Sequence, residues 1–293
     1  MNGTLRLRIA ALLWGLALAA VLVFFLFPLY WMLVTALKPR AEVTLLPPSL
    51  LPYVQFRPTL ENFAAVLTER PQPILGGWVA LSPFPAALLN SVLIGGTATV
   101  ASVLLGTFAA YAFSRFHTRG AGDLLFFILS TRMLPPIVVV IPLFLMFTEL
   151  GLRNSFWGLT TLYTTAGLPF VVWMMKGFFD EIAREYEEAA MTDGYSRLQA
   201  IWRVLLPEAL PAMLATAVFV LIFAWNEFVF AQLLNPDRYS TAPIFLYSVI
   251  GYGRVEWARM AATSVMFLVP VVAFTILVRR HLLRGVTFGA VRR

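Results

Sequence analysis

Ionisable side chains in this chain are concentrated in one stretch, residues 184–207, which is flanked on both sides by apolar sequence. Burying one such charge at the centre of a bilayer costs about 2.5–3.5 kcal/mol, so the stretch must lie in water or at a membrane surface. Carboxylates and guanidinium groups at this density can pair with each other and with a second surface. We therefore interpret the stretch as a docking surface, built on these side chains: Arg184, Glu185, Glu187, Glu188, Asp193, Arg197 and Arg203.

The spacing within this stretch predicts two short helices joined by a turn. In its first half Tyr186, Ala189, Ala190 and Asp193 recur at helical spacing, and the two alanines give this face a small-residue surface. Such a face allows another surface to approach closely. Gly194 can adopt the positive φ that ends a helix. An apolar stripe then restarts and runs to Pro207, where we expect the helix to be interrupted.

Other kinds of catalytic or binding chemistry find no support in the sequence. The chain has no cysteine, and its histidines, His117 and His281, are far apart, so no metal cluster is predicted. Its lysines, Lys38 and Lys176, do not belong to a G-x-x-x-x-G-K-[ST] phosphate-binding loop. The sequence therefore predicts a protein that is not an enzyme and holds no metal or cofactor. The net charge of +7 is explained by arginines that flank apolar spans, and no nucleic-acid partner is predicted.

Composition predicts an all-α integral membrane protein. Of 293 residues, 60% are hydrophobic and 13% are charged, whereas soluble domains carry roughly 45–50% apolar and 25% charged residues. Apolar runs of about 20 residues are long enough to cross the hydrocarbon core of a bilayer. We predict one transmembrane domain, residues 1–293, with six spans at 9–37, 86–114, 124–150, 156–179, 209–234 and 258–277.

The intervals between these spans set the predicted topology. Residues 38–84 form an outer loop rich in proline, with a short helix at 59–63 that Thr59 caps. Residues 180–208 form the polar region on the opposite side. Basic residues are more numerous on the side that holds both termini and this polar region. The positive-inside rule therefore places that side in the cytoplasm.

Polar side chains inside the predicted spans are candidates for contact with a transported solute, because such groups are costly in a membrane and usually functional. Arg132 precedes Pro135 and Pro136, which must break its helix. Each candidate can instead hold helices together, and the depths of Arg132 and Glu227 disfavour a direct pair. The small residues of the second span likewise fit either internal packing or a subunit interface. The solute candidates are Asn90, Arg132, Trp225, Asn226 and Glu227.

The polar stretch resembles the signature of ABC importer permeases, E-A-A-x-x-D-G followed after nine residues by I-x-L-P. The matching residues are Glu188, Ala189, Ala190, Asp193, Gly194, Leu206 and Pro207. Val204 replaces the usual isoleucine, Tyr195 stands where alanine is common and Ile201 stands where phenylalanine is common. The last two changes are apolar and are expected only to repack the contact. The resemblance implies a coupling helix, with Glu187 in it, seated in a cleft of a separate ATP-hydrolysing subunit.

Further strings extend the resemblance over nearly the whole chain, to the second permease subunit of carbohydrate-type importers, the maltose-transporter class. They include TLENF at 59–63, LPPIVVVIPLF at 134–144, AWNEF at 224–228 and RGVTFGAVRR at 284–293. The resemblance implies the type I ABC importer permease fold in a bacterial or archaeal inner membrane. The implied partners are a second, different permease subunit, two cytoplasmic ATP-binding subunits and an extracytoplasmic solute-binding protein. The tail is implied to reach the ATP-binding subunits through Gly285, Thr287, Gly289 and Ala290.

The sequence-based expectation is a permease subunit that couples closure of the ATP-binding subunits to alternating access. Its solute is expected to be a sugar, sugar alcohol, glycerol or glycerol phosphate. Glu188 and Asp193 are expected to fix the coupling helix by hydrogen bonds and charge pairing. The alternative is an ion-coupled secondary transporter for a small polar solute, which would show repeats between its halves and work without partners. A purely structural membrane scaffold would not need the signature.

Overall fold

The computed structural model describes residues 3–69, 82–117, 119–250 and 255–287, with side-chain surroundings between residues 9 and 279 of those ranges. Within these ranges the chain is helical and has no named β-strand. The helices are α1 Gly3–Leu37, α2 Glu61–Thr68, α3 Phe84–Arg115, α4 Ala121–Ser130, α5 Pro136–Glu149, α6 Phe156–Glu181, α7 Glu185–Thr192, α8 Arg197–Ala200, α9 Leu206–Asn226, α10 Val229–Leu234, α11 Ala242–Ser248 and α12 Trp257–Thr287. Short 3-10 turns lie at Arg40–Glu42 and Thr131–Met133, and a π-helical segment lies at Ile201–Leu205.

The chain divides into two compact units. One unit comprises Met1–Pro83 and Leu246–Leu268, and the other comprises Phe84–Phe245 and Val269–Arg293. In the first unit, α1 exposes its apolar side chains over most of Ile9–Leu37. A helix that is apolar on all sides is stable only when lipid or another protein surrounds it.

The short outer helix α2 is fastened to the end of α1 by one buried side chain. Asn62 is fully buried, and its Nδ2 donates to the carbonyl oxygens of Ala36 (2.8 Å) and Lys38 (2.7 Å). Because α1 ends at Leu37, no N–H group of the helix is available to donate to these two carbonyl oxygens. The asparagine of the TLENF string therefore completes the C-terminal end of the preceding helix.

Both ends of α2 are held by further hydrogen bonds. Thr59 Oγ1 accepts from the Glu61 N–H at 3.1 Å, but the predicted cap position is wrong, because Leu60 occupies the N-cap position. At the other end, the guanidinium of Arg259 donates to the carbonyl oxygens of Ala65 and Glu69. The outer helix is thus built into the first unit and is not a free loop.

Replacing Asn62 with alanine is expected to lower the free energy of unfolding by about 2–6 kcal/mol, because it leaves two buried acceptors without a donor and each costs about 1–3 kcal/mol. Thermal unfolding of the purified protein in detergent measures the change. The matched control is Glu61→Ala, one residue earlier on an exposed face of the same helix. Equal shifts in melting temperature for the two variants would contradict the role assigned to Asn62.

In the second unit, α3, α6 and α9 pack against one another and form the core. The small residues of α3 allow the close approach to α6. A Cβ on Gly106 would lie 2.6 Å from Cγ1 of Val171, and Ser102 Oγ donates to the carbonyl oxygen of Thr164 at 3.0 Å. Of the two alternatives left open for the small-residue surface, internal packing is therefore observed for this part of it.

The predicted third span is broken, as its two prolines require. The axes of residues Ala121–Met133 and Pro136–Glu149 differ by 95°. Leu134 and Pro135 both adopt extended backbone, with ψ of 124° and 131°. A residue that precedes proline is driven out of the α region by the proline ring, and here two residues in succession are affected. The break is therefore much sharper than an ordinary proline kink.

The fifth span differs from its predicted bounds at both ends. A single helical run covers Arg197–Asn226, so Pro207 does not interrupt it. The π-helical segment Ile201–Leu205 ends two residues before this proline and changes the backbone hydrogen-bond register there, which accommodates a residue that lacks an N–H. At the other end the stretch predicted as one span to residue 234 is two helices, because α9 stops at Asn226 and α10 begins at Val229.

Four helical runs of the described residues are long and apolar enough to cross a membrane: Ile9–Leu37, Phe84–Arg115, Arg197–Asn226 and Trp257–Arg279. The bent pair α4–α5 brings the number to five if it counts as one span. Helix α6 is not in this set, although its bounds agree with the predicted fourth span. Its threonine hydroxyls lower the mean hydropathy, yet those of Thr164 and Thr165 donate to carbonyl oxygens one turn earlier, which removes most of their cost in a bundle.

Candidate functional site

The polar stretch folds into two helices joined by a turn, as predicted. Helix α7 ends at Thr192, and Gly194 follows the C-cap residue Asp193 with a φ of +90°. The Gly194 N–H donates to the carbonyl oxygen of Met191 (3.1 Å), and the Tyr195 N–H donates to that of Ala190 (3.1 Å). This is the Schellman pattern, which requires a left-handed residue at the glycine position. The glycine of the signature therefore sets the direction in which the chain leaves α7.

The second helix of the stretch begins with a capping box. Ser196 Oγ accepts from the Gln199 N–H at 3.4 Å, and Gln199 Oε1 accepts from the Ser196 N–H at 2.8 Å. Both donors would otherwise be unsatisfied at the start of the helix. The turn between the helices, residues 193–196, is thus specified by local hydrogen bonds on both of its sides.

One carboxylate anchors α7 to the rest of the second unit. Glu187 is 5% exposed and accepts a hydrogen bond from the hydroxyl of Tyr111 at 2.5 Å. Its oxygens also lie 3.4 Å from Nε of Arg115 and 3.4 Å from Nε of Arg197. Two of the three partners are on α3 and the third is on α8. Glu187 therefore joins the two helices of the polar stretch to the end of a membrane-spanning helix.

Backbone carbonyl groups complete the attachment to α3. Arg115 donates to the carbonyl oxygen of Ile182 at 3.0 Å, and Arg184 donates to that of Ser114 at 3.3 Å. Nearby, Lys176 Nζ donates to Asp180 at 2.6 Å. Burial alone would raise the pKa of Asp180, but the hydrogen bond from Lys176 and the charges of Lys176 and Arg115 hold that pKa below its usual range. The end of α6 thus keeps its negative charge at neutral pH.

The structure corrects the expectation for Glu188 and Asp193. Both side chains are exposed, and neither forms an ion pair with any residue that the structure describes. Glu187 alone of the three makes the fixing contacts, because it lies on the side of α7 that faces α3. Glu188, Ala189 and Asp193 remain free to contact another surface.

The alanine face is divided between two roles. Ala190 is buried within the chain, whereas Ala189 is exposed. Large apolar and aromatic side chains are also exposed in α7 and in the residues that follow it: Tyr186, Tyr195, Leu198 and Trp202. Leu206 and the exposed Pro207 open α9 just beyond the π-helical segment. We call this exposed surface, residues 186–207, the knuckle surface.

Two of the residues predicted to contact solute form hydrogen bonds within the chain. Glu227 accepts from the hydroxyl of Tyr163 at 2.9 Å and from the N–H groups of Phe230 (2.9 Å) and Ala231 (3.0 Å), so it caps α10 at the break in the fifth span. Asn90 donates to the carbonyl oxygen of Ser240 at 3.0 Å, which attaches α3 to the segment between α10 and α11. The expectation that Glu227 does not pair with Arg132 agrees with these contacts.

Trp225 and Asn226 face different surroundings. Trp225 is 3% exposed and lines an apolar cavity of about 380 Å³ between α3, α9 and the second half of α12. Its ring is therefore not on the side of α9 that carries Asn226. Asn226 is exposed, and its Nδ2 donates to the carbonyl oxygen of Ile222 at 2.8 Å, one turn earlier in its own helix.

Arg132 lies at the sharp break between α4 and α5, in a recess of about 140 Å³. Its Nη1 donates to the carbonyl oxygen of Ala166 at 2.7 Å, and its guanidinium lies 4.4 Å from the ring centre of Phe223. We call this space the Arg132 recess, lined by Arg132, Gly167, Phe170, Phe219, Val220 and Phe223. Its phenylalanines were missed by sequence reasoning, since isolated phenylalanines in a membrane span carry no distinguishing pattern.

The tail is described in part. Gly285 and Thr287 lie in the last turns of α12, by backbone alone, and Gly289 and Ala290 lie outside the described residues.

Sequence reasoning also missed the residues that contact Glu187. Tyr111 and Arg115 are 76 and 72 positions away in sequence, beyond any local signal, although their i, i+4 spacing on one helix face was visible.

Comparison with known proteins gives consistent matches along the chain. A family model described as "Binding-protein-dependent transport system inner membrane component" matches residues 102–286. The chain is 34% identical over 271 residues to the trehalose/maltose transport system permease protein MalG of Thermococcus litoralis, and this match covers 91% of each chain. It is 33% identical over 276 residues to the inner membrane ABC transporter permease protein YcjP of Escherichia coli, which covers 94% of each.

A solved structure has the same fold. A chain of a bacterial ABC transporter involved in the import of the acidic polysaccharide alginate superposes with a TM-score of 0.73. The match covers 94% of this chain and 97% of that one, at 23% sequence identity. This level of identity supports the likeness of fold alone.

Proposed function

The chain belongs to the family of binding-protein-dependent transport system inner membrane components, and from this premise we propose that it couples ATP hydrolysis by partner subunits to import of a carbohydrate. Family membership confirms the resemblance inferred from the signature and the location in the inner membrane. The protein is an ABC transporter permease subunit, a transport component and not itself an enzyme.

The observation that carries the coupling proposal is the attachment of the knuckle surface. Helix α7 is held to α3 through buried Glu187, while Glu188, Ala189 and Asp193 stay exposed on its other side. A partner that seats α7 in a cleft would meet these exposed residues together with Tyr186, Leu198 and Trp202. Motion of the partner would then pass to α3 through Glu187 and to α9 through Leu206 and Pro207.

The proposed assembly follows from this surface and from the family. Two ATP-binding subunits dock on the cytoplasmic side, one on this chain and one on a second, different permease subunit. An extracytoplasmic solute-binding protein delivers the solute. The single permease domain has six membrane spans, with both termini and residues 180–208 in the cytoplasm, and the tail with Gly285, Thr287, Gly289 and Ala290 reaches the ATP-binding subunits.

The proposed solute class rests on the relatives. The relative from Thermococcus litoralis is named for trehalose and maltose, and it covers 91% of this chain. We therefore assign a sugar or sugar alcohol, with trehalose and maltose as the first probes to use. The ATP-driven mechanism is favoured over an ion-coupled carrier because the knuckle surface presents an anchored docking helix, which a carrier that works alone does not need.

The test is uptake of labelled trehalose and maltose by the purified complex in proteoliposomes, with its binding protein on the outer side. Uptake is expected to require ATP inside the vesicles and to be unaffected when proton and sodium gradients are abolished. The required control is a complex that lacks the ATP-binding subunits. Uptake driven by an ion gradient without ATP would favour the alternative of a secondary transporter.

A further inference from the structure

The Arg132 recess contains a positive charge without a local counter-charge. No carboxylate lies within ion-pair distance of Arg132 among the residues that the structure describes. The residue sits at a break in a membrane-spanning segment, where an uncompensated charge is costly and is retained for function. Its one hydrogen-bond partner among these residues is the backbone carbonyl oxygen of Ala166.

The guanidinium is held in one orientation, and some of its N–H donors have no hydrogen-bond partner among the described residues. One face lies against the ring of Phe223, and Nη1 is fixed by the carbonyl oxygen of Ala166. A guanidinium has five N–H donors, so the edge formed by Nε and Nη2 remains available for acceptor oxygens. Planar pairing along such an edge is what distinguishes arginine from lysine in binding sites.

Aromatic surface extends the recess along α9. Phe219, Phe223 and Asn226 recur at helical spacing and share one side of this helix. Phe170 of α6 completes the wall, with its ring centre 5.7 Å from that of Phe219. The exposed amide of Asn226 adds a polar group one turn beyond Phe223. Sites that bind small molecules have this composition, with apolar rings and a few directed polar groups.

We propose that the Arg132 recess is a solute contact on the transport path, and that it binds one sugar ring at a time. The apolar face of the ring lies against Phe223 and Phe170, and ring hydroxyl oxygens accept hydrogen bonds from Nε and Nη2 of Arg132. The recess, of about 140 Å³, is of the size of a single sugar ring. The inference deepens the proposed function and rests on it.

The test measures solute import and ATP hydrolysis together, in proteoliposomes of the complete complex with trehalose and maltose as probes. Arg132→Gln is expected to lower the solute uptake rate about tenfold, the effect of one lost hydrogen bond to a charged donor, while ATP hydrolysis changes little. Arg132→Lys keeps the charge without the planar edge and is expected to restore only part of the uptake. Phe223→Tyr is expected to retain uptake, whereas Phe223→Leu is expected to lose it.

The control variant is Phe126→Leu, which changes an exposed phenylalanine of α4 outside the recess. It is expected to leave the ratio of solute imported to ATP hydrolysed unchanged. A purely structural Arg132 would lower uptake and ATP hydrolysis in proportion, and this result would overturn the inference. Failure of the unaltered complex to import either sugar, with ATP hydrolysis intact, would instead remove the proposed solute class and the inference with it.

Discussion

Replacing Glu187 with leucine is expected to abolish most solute import while the protein still inserts into the membrane. The carboxylate is buried with Tyr111, Arg115 and Arg197 around it. Removing one partner of a buried ion pair costs about 3–5 kcal/mol, because the remaining charge is left without compensation. Loss of about 3 kcal/mol lowers the equilibrium constant for attachment of α7 to α3 more than a hundredfold. ATP-driven uptake in proteoliposomes should fall by a similar factor.

Two further variants make this result specific. Glu185→Gln alters an exposed carboxylate in the first turn of the same helix and is expected to keep near-normal uptake. Tyr111→Phe removes one hydrogen bond and leaves both arginines paired, so it is expected to have an intermediate effect. Binding of the ATP-binding subunits should persist in the Glu187 variant. Normal uptake by Glu187→Leu would show that the attachment to α3 does not carry the coupling.

Gly194→Pro is expected to have the second large effect, again without loss of membrane insertion. Proline fixes φ near −65°, whereas Gly194 has a φ of +90°, and proline lacks the N–H that donates to Met191. Such a mismatch costs about 3 kcal/mol or more. No atom lies within 4 Å of a Cβ placed at Gly194, so the effect comes from the backbone and not from crowding. Uptake is expected to fall at least tenfold as the knuckle surface loses its shape.

Asparagine provides the matched control at this position, because it tolerates the left-handed region better than other residues with a side chain. Gly194→Asn should therefore retain most of the uptake. Gly177→Ala serves as a second control, since that glycine is within α6 and a Cβ there meets no atom within 4 Å. It is expected to stabilise the helix slightly. If proline and asparagine at 194 behaved alike, the positive φ would have no part in coupling.

Local chemistry explains which features the sequence predicted well. Helix α7 ends just before Gly194 because glycine adopts a positive φ, and the helix after Arg132 breaks because two prolines follow. These effects on the backbone do not depend on distant residues. The outer helix near Asn62 was found for the same reason, through the threonine at its start. The S-x-x-Q capping box at Ser196 was equally local and could have been predicted.

Features that depend on distant residues were predicted less well. Glu188 was favoured over Glu187 because it matches the signature, yet the side of α7 that faces α3 is decided by Tyr111 and Arg115. The role of Glu227 as a cap could not be separated from solute contact without knowing where its helix stops. The continuity of Arg197–Asn226 past Pro207 depends on the π-helical segment, which has no sequence signature comparable to a capping motif.

Because it is continuous, the helical run Arg197–Asn226 connects the knuckle surface rigidly to the Arg132 recess. Its 30 residues span about 45 Å at the rise of an α-helix. Leu198 and Trp202 of the knuckle surface are near one end, and Phe223 and Asn226 beside the Arg132 recess are near the other. A tilt of only about 5° around one end displaces the other by about 4 Å at this length. A small rotation imposed at the knuckle surface would thus move the residues beside the Arg132 recess by several ångströms.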